Sequence, residues 1–193
     1  MMRFFFYMVM FCVLIIYTVA CKSKEKGSIE EADSANQANL DTALKRKDIV
    51  IDENSSTYLV RIAGIIMVEK ELTNVARHQA VSVPVKDFAA KLYSELSGIY
   101  DSVTAIAMRK NIVLPSTISE EGSISIELVK KARGKLLDKS FINSILKEQE
   151  SLQALFTNAM TESKDADIRS FSDLTGILLR TYTTTAKAIE RKL

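Results

Sequence analysis

Glu69, Glu95 and Glu148 are the residues of this 193-residue chain best placed to do chemistry, because each is an acid on a helical stripe that is otherwise apolar. Glu69 falls in register with Ile62, Ile65, Leu72 and Ala76, Glu95 with Phe88, Leu92, Ile99 and Ile106, and Glu148 with Phe141, Ile145, Leu152 and Leu155. A carboxylate carried into a core is strongly disfavoured unless it is protonated, paired or bound to metal. Three arrangements meet that constraint. The acids could form an oxygen-only site for a hard cation. They could instead be protonated or paired with a cation such as Arg61 or Arg180, or the stripes could be displaced by one residue so that the acids face water. Glu69 and Glu95 each lie thirteen residues from Ser82, so an antiparallel hairpin turning there sets them at one height, and a level second hairpin brings Glu148 close. Facing inward and unpaired, at least one of the three would titrate above an ordinary glutamate.

Other chemistries lack their parts. The one histidine, His78, sits between Arg77 and Gln79 near a helix end and reads as an exposed polar residue. There is no Gly-x-Ser-x-Gly elbow, no phosphate-cradling glycine loop and no nucleophile with a base beside it, so catalysis by acyl or phosphoryl transfer is not expected. Twenty-six Lys and Arg stand against 24 Asp and Glu, dispersed and not interleaved with aromatics, which points to no nucleic-acid partner.

The first twenty-one residues carry an address. Arg3 supplies a short positive region, Phe4 to Tyr17 is an unbroken apolar run, and Thr18-Val19-Ala20 places small residues before Cys21. That run suits a secretory signal and is short for a membrane span, which needs about 20 apolar residues. The segment resembles bacterial lipoprotein signals, except that Thr18 stands where leucine is usual. Residues 1–20 therefore read as a lipoprotein signal peptide and Cys21 as the lipidated first residue of the mature chain. Of the two cysteines, Cys12 leaves with the signal, so no internal disulfide remains to be formed. The expected location is the bacterial cell envelope, the lipid inserted in the outer membrane with the domain on its periplasmic or surface face.

Residues 21–54 are rich in Lys, Glu, Ser, Ala, Asn, Gln and Asp and read as a polar tether with too little apolar surface to order itself. Residues 55–193 read as one helical domain. Four long amphipathic segments are expected. The first carries Leu59, Ile62, Ile65 or Ile66, Leu72, Val75 and Ala76 and ends near Ala80. Ser82 is the candidate cap of the second, with Pro84 in its first turn, and that segment stops near Asn111. A short piece with Ile124, Leu128, Val129 and Ala132 runs to Gly134, and Asp138 is placed to cap the third segment. After Ser163-Lys164-Asp165 the fourth carries Ile168, Phe171, Leu174, Ile177 or Leu178, Ala186 and Ile189. Short connections within each pair make the partners antiparallel, so the expected fold is an all-α antiparallel four-helix bundle with an accessory short helix.

Met67-Val68-Glu69-Lys70-Glu71-Leu72, Val83-Pro84-Val85-Lys86-Asp87-Phe88-Ala89, Ile112-Val113-Leu114-Pro115, Ala154-Leu155-Phe156 and Ala186-Lys187 together resemble the bacterial family catalogued as domain of unknown function 4142. The resemblance implies a ferritin-like bundle, usually exported and often labelled an outer-membrane protein, with no established biochemical role. It also implies an Asp-His pair in the second helix, another in the third and a histidine late in the fourth. Here those positions hold Glu95-Leu96, Glu148-Gln149 and Tyr182. The candidate site is thus Glu69, Glu95, Glu148 and Tyr182, a relic whose imidazoles are gone. The reading that follows is a lipid-anchored envelope protein whose bundle is a binding or structural module without a cofactor, its partner a membrane through the N-terminal lipid. The alternative is a bundle that binds a divalent metal such as iron through inward carboxylates.

If Cys21 carries lipid, Cys21→Ala abolishes fatty-acid labelling and leaves the precursor unprocessed; metabolic labelling with a palmitate analogue reads both.

Overall fold

A turn closed by a buried acid sets the first hairpin. Among the described residues of the computed structural model, 27–46 and 53–193, the chain forms six helices: α1 (Ser28–Arg46), α2 (Glu53–Gln79), α3 (Val83–Lys110), α4 (Glu120–Lys131), α5 (Lys135–Glu162) and α6 (Ala166–Glu190). Ser82 has the extended backbone of an N-cap and Pro84 occupies the first turn of α3, as expected. The Ser82 side chain does not cap its own helix. It donates instead to Asp138, whose carboxylate also accepts the amides of Val81 and Ser82, each at 2.9 Å. Asp138 is therefore not the cap of α5. It lies fully buried in the first turn of α5 and ties that helix to the α2–α3 turn, while α5 begins after Gly134 at a positive φ of 59°.

At its other end α3 stops where expected. Asn111 adopts the left-handed conformation (φ 55°), the Ile112 amide reaches back to the Ala107 carbonyl and the Asn111 amide to that of Met108. This closes the last carbonyls of the helix, with asparagine one of the few residues other than glycine at ease there.

The four long helices close a ring in which α2 packs on α3 and α5, and α6 packs on α5 and α3. Ser55 bonds to Ser163, Glu69 to Gln149, and Val81 to Asp138, so numbers fall along α5 as they rise along α2. Lys110 pairs with Asp165 and Asp167 while the Phe88 ring packs at a tilt against Tyr182, so α3 and α6 are antiparallel too. α3 and α5 consequently point the same way, and residues 111–134 with α4 return the chain along the bundle. One long crossover of this kind is the ferritin-like topology. The core is apolar and continuous, with Phe141, Phe156, Leu59, Ile62, Leu72, Leu92 and Leu96 fully buried.

Three expectations are corrected. Ser28–Arg46 lies in the stretch read as an unordered tether, yet it is a helix packed on α2. Its docking is part polar and part apolar: Asn36 accepts from the Val113 amide at 2.7 Å and donates to the Val113 carbonyl at 2.9 Å, while Ala32 joins the core and Ile29 lies against Gly64. Composition registers apolar surface and misses such contacts. In α4 the side chains of Ile124 and Leu128 are exposed, while Gly122, Ile126 and Val129 face α2 and α5. Gly122 approaches α2 so closely that a Cβ would stand 2.4 Å from Val68, and this contact sets the rotation of α4. In α6, Leu174 (70% exposed), Ile177 and Leu178 face outward, and Ser172, Thr175, Gly176 and Leu179 face inward. A Cβ on Gly176 would already stand 3.4 Å from that of Phe156, so a small residue there lets α5 and α6 come together.

Two stability effects follow. Leu92→Ala is expected to cost about 2–5 kcal/mol in chemical denaturation, as for a fully buried leucine. A chain starting at Asp52 should remain helical and cooperative but melt lower than the full chain, because the Asn36 bonds to Val113 are lost.

Candidate functional site

The centre of the bundle holds one buried acid and the residues that satisfy it. Glu69 of α2 has no exposure, and both its oxygens accept from the Gln149 Nε2 of α5, at 2.9 and 2.8 Å. The Gln149 Oε1 accepts in turn from the Thr183 hydroxyl of α6 at 3.2 Å. Thr183 also lies 3.0 Å from the Leu179 carbonyl, so the network ends on the backbone. A Gln149 turned about its amide would let a protonated Glu69 donate to Oε1 and Nε2 donate to Thr183, leaving the chain of bonds complete. Burial pushes the Glu69 carboxyl well above the ordinary glutamate range; the Gln149 bonds oppose the push and the charge of Glu148 adds to it.

Glu95 and Glu148 do not join this centre. At each position the neighbour C-terminal to the acid points inward: Leu96 and Gln149 are fully buried, while Glu95 and Glu148 are half-buried at the bundle's flanks. Glu95 lies beside the Tyr182 hydroxyl and lines a groove of about 400 Å³ between α3 and α6, shared with Gly98, Phe171 and Leu174. Burial, then the Glu95 charge and hydrogen bond, raise the Tyr182 phenol above its usual range. Glu148 is raised by burial, drawn back by Lys147 and raised again by Glu121. The displaced-stripe arrangement is thus the one adopted by Glu95 and Glu148, and the inward one by Glu69. His78 is exposed, and Cys21 lies outside the described residues.

The donors do not fit a ferritin-like metal centre. Such a centre takes an inward Glu from each of two helices and an inward Glu-x-x-His from each of the other two. Here one carboxylate faces an amide nitrogen that already donates to both its oxygens, and α3 contributes Leu96. Among the described residues, no three His, Cys, Asp or Glu side chains converge closely enough to hold a metal ion.

A second polar cavity, of about 430 Å³, lies between α1, the start of α2 and the end of α3. Asp33, Asn36, Glu53, Arg61 and Lys110 line it. One carboxylate oxygen of Asp33 is buried without a hydrogen bond, and burial raises this acid, with Arg61 opposing and Glu30 and Glu53 adding. The tether reading concealed this cavity, since five of its thirteen lining residues come from α1.

Four antiparallel helices with a single crossover define an all-α, ferritin-like bundle. Residues 45–189 match the family model described as Domain of unknown function (DUF4142), and the chain belongs to that family. No curated protein matches the sequence. Among solved structures the chain is similar to the crystal structure of a DUF305 fragment from Deinococcus radiodurans, with a TM-score of 0.68 at 9% identity, over 75% of this chain and 100% of that one. At that identity the likeness is one of fold. Among the described residues, no helix is long and apolar enough to cross a membrane.

The folded state holds the Glu69 proton more tightly than the unfolded chain does. Its contribution to stability is therefore complete below the ordinary glutamate range and is lost as pH rises through the raised folded value. Glu69→Gln should flatten that part of the stability profile and stabilise the domain at neutral pH by about 1–3 kcal/mol. Denaturation midpoints of parent and variant between pH 4 and 8 check it, and parallel profiles would refute it.

Proposed function

We propose that this chain is a lipid-anchored protein of the bacterial cell envelope whose bundle acts as a binding or structural module, its ancestral metal site replaced by a packed polar core. The observation that carries this reading is the pairing of Glu69 with Gln149. The amide nitrogen takes the place of a cation for both carboxylate oxygens, and Leu96 supplies aliphatic bulk from α3. An amide needs no exogenous partner, so the centre is complete as folded, and binding then belongs to the outer surface. The lipoprotein-like signal ending at Cys21 supports the address, with the acyl chains in the outer membrane and the bundle beside it.

Elemental analysis of the purified protein tests the reading. Iron and zinc are expected below one-tenth of an equivalent after incubation with excess metal and desalting, with no iron oxidation above the rate in buffer. Borderline metals gain most from imidazole or thiolate, which this centre lacks. A stoichiometric divalent ion that disappears in Glu69→Gln or Glu95→Gln would favour a metal-handling bundle instead.

A further inference from the structure

We propose that one end of the bundle, built from the α2–α3 turn, the start of α5 and the end of α6, is a docking surface for an anionic lipid bilayer that holds the bundle upright on the membrane carrying the Cys21 lipid. The orientation rests on the lipid-anchored reading above. The surface itself rests on the composition of this end.

Its apolar part is exposed and rigid. Val81 is 55% exposed, Val83 67% and Leu136 64%. Asp138 fastens the turn that bears the two valines to the first turn of α5, so all three residues belong to one tip, with the Leu136 side chain on its α4 side beside Leu128. Around them stand Lys86, Lys135 and Lys139, together with Lys187, Arg191 and Lys192 at the end of α6, which the antiparallel packing brings to the same level. All six are exposed, and among the described residues none is in a salt bridge. The exposed acids at this end are Asp87 and Glu190; Asp138 is buried and already bonded.

The opposite end is built differently. There Lys110 is held by Asp165 at 2.7 Å and Asp167 at 2.9 Å, and Arg109 reaches Asp167 at 4.0 Å. Arg109 and Lys110 are thus neutralised internally at that tip, where Lys164 alone stands exposed beside them, whereas all six cations of the basic tip are left free. Aliphatic side chains flanked by free lysines match the interface of an anionic bilayer, where the apolar groups enter the acyl boundary and the ammonium groups meet phosphates.

The length of chain beyond the described residues agrees. α1 runs antiparallel to α2, with Ile29 at Gly64, so Gly27 is the part of α1 nearest the basic tip. From Gly64 to Gln79, α2 rises roughly 23 Å. The six residues from Gly27 back to Cys21 reach at most about 20 Å. Fully extended, that segment brings a lipid on Cys21 to within a few Å of the level of Gln79, beside the basic tip.

The experiment uses the full chain in vesicles, with a thiol fluorophore at Val83→Cys or, at the opposite end, Lys164→Cys, and acyl-brominated lipids as quenchers. In vesicles containing one-quarter phosphatidylglycerol, the probe at 83 should be quenched and the probe at 164 should not. The quenching should vanish in pure phosphatidylcholine, in 1 M salt, and in Lys135→Glu/Lys139→Glu/Lys192→Glu with unchanged circular dichroism. Each cation is worth about fivefold in partitioning, so the triple variant should lose a hundredfold or more. Flotation with pure phosphatidylcholine vesicles reads the Cys21 lipid separately. Flotation without selective quenching at 83 would overturn the docking surface and leave the anchor standing. Without flotation the anchor reading fails, and docking is then judged by binding to anionic vesicles, whose absence overturns it. Displacement from anionic vesicles by an equal charge of heparin or an acidic peptide would show a general polyanion surface and also overturn it.

Discussion

A carboxyl with no exposure in an apolar bundle persists only where donors reach it, and the α2–α5 interface is arranged around that requirement at Glu69. Gln149 must face it for both oxygens to be satisfied, which fixes the rotation of α5 and the register of α5 against α2. The same interface carries Ser55 bonded to Ser163 towards one end and the Val81 and Ser82 amides bonded to Asp138 at the other. Apolar packing tolerates small slips because it is not directional, whereas a buried polar pair left unmatched by a slip is penalised. Polar contacts at both ends and the middle therefore specify one register for a core that supplies most of the driving force.

That register decides what each remaining helix can offer. With α5 turned to present Gln149 inward, Glu148 is left on the flank with Lys147 and Glu121, and the acids of the bundle are separated. α6 meets α5 through Gly176 and Thr183, and its larger side chains Leu174, Ile177 and Leu178 are turned outward, Leu174 and Leu178 along the groove beside α3. A centre that satisfies itself and a surface with unsatisfied groups are two results of one arrangement. The cluster of free cations at one tip and the pairing of Lys110 with Asp165 and Asp167 at the other follow from which helix ends the antiparallel topology brings together.

Much of this was legible in the sequence. The four long helices, the breaks at Ser82, Asn111 and residues 163–165, the antiparallel pairing and the burial of Glu69 follow from apolar residues at three- and four-residue intervals, from Pro84, and from short connections too tight for anything but a reversal. These signals are local, and the chain within a few residues of each carries them in full.

What tertiary structure alone decided is rotation by a single position. Leu92 and Ile99 are seven residues apart, so both Glu95 and Leu96 fit between them on one stripe, and Glu148 and Gln149 stand in the same relation to Ile145 and Leu152. One residue turns a helix by about 100°, roughly the width of the stripe itself, and periodicity cannot choose between two neighbours at its edge. The choice falls to whichever side chain its neighbours can satisfy: leucine against the core, and the amide against Glu69. The docking of α1 through Asn36, the rotation of α4 by Gly122 against Val68 and the reach of Asp138 to another helix's turn have the same origin, since each depends on a partner distant in sequence.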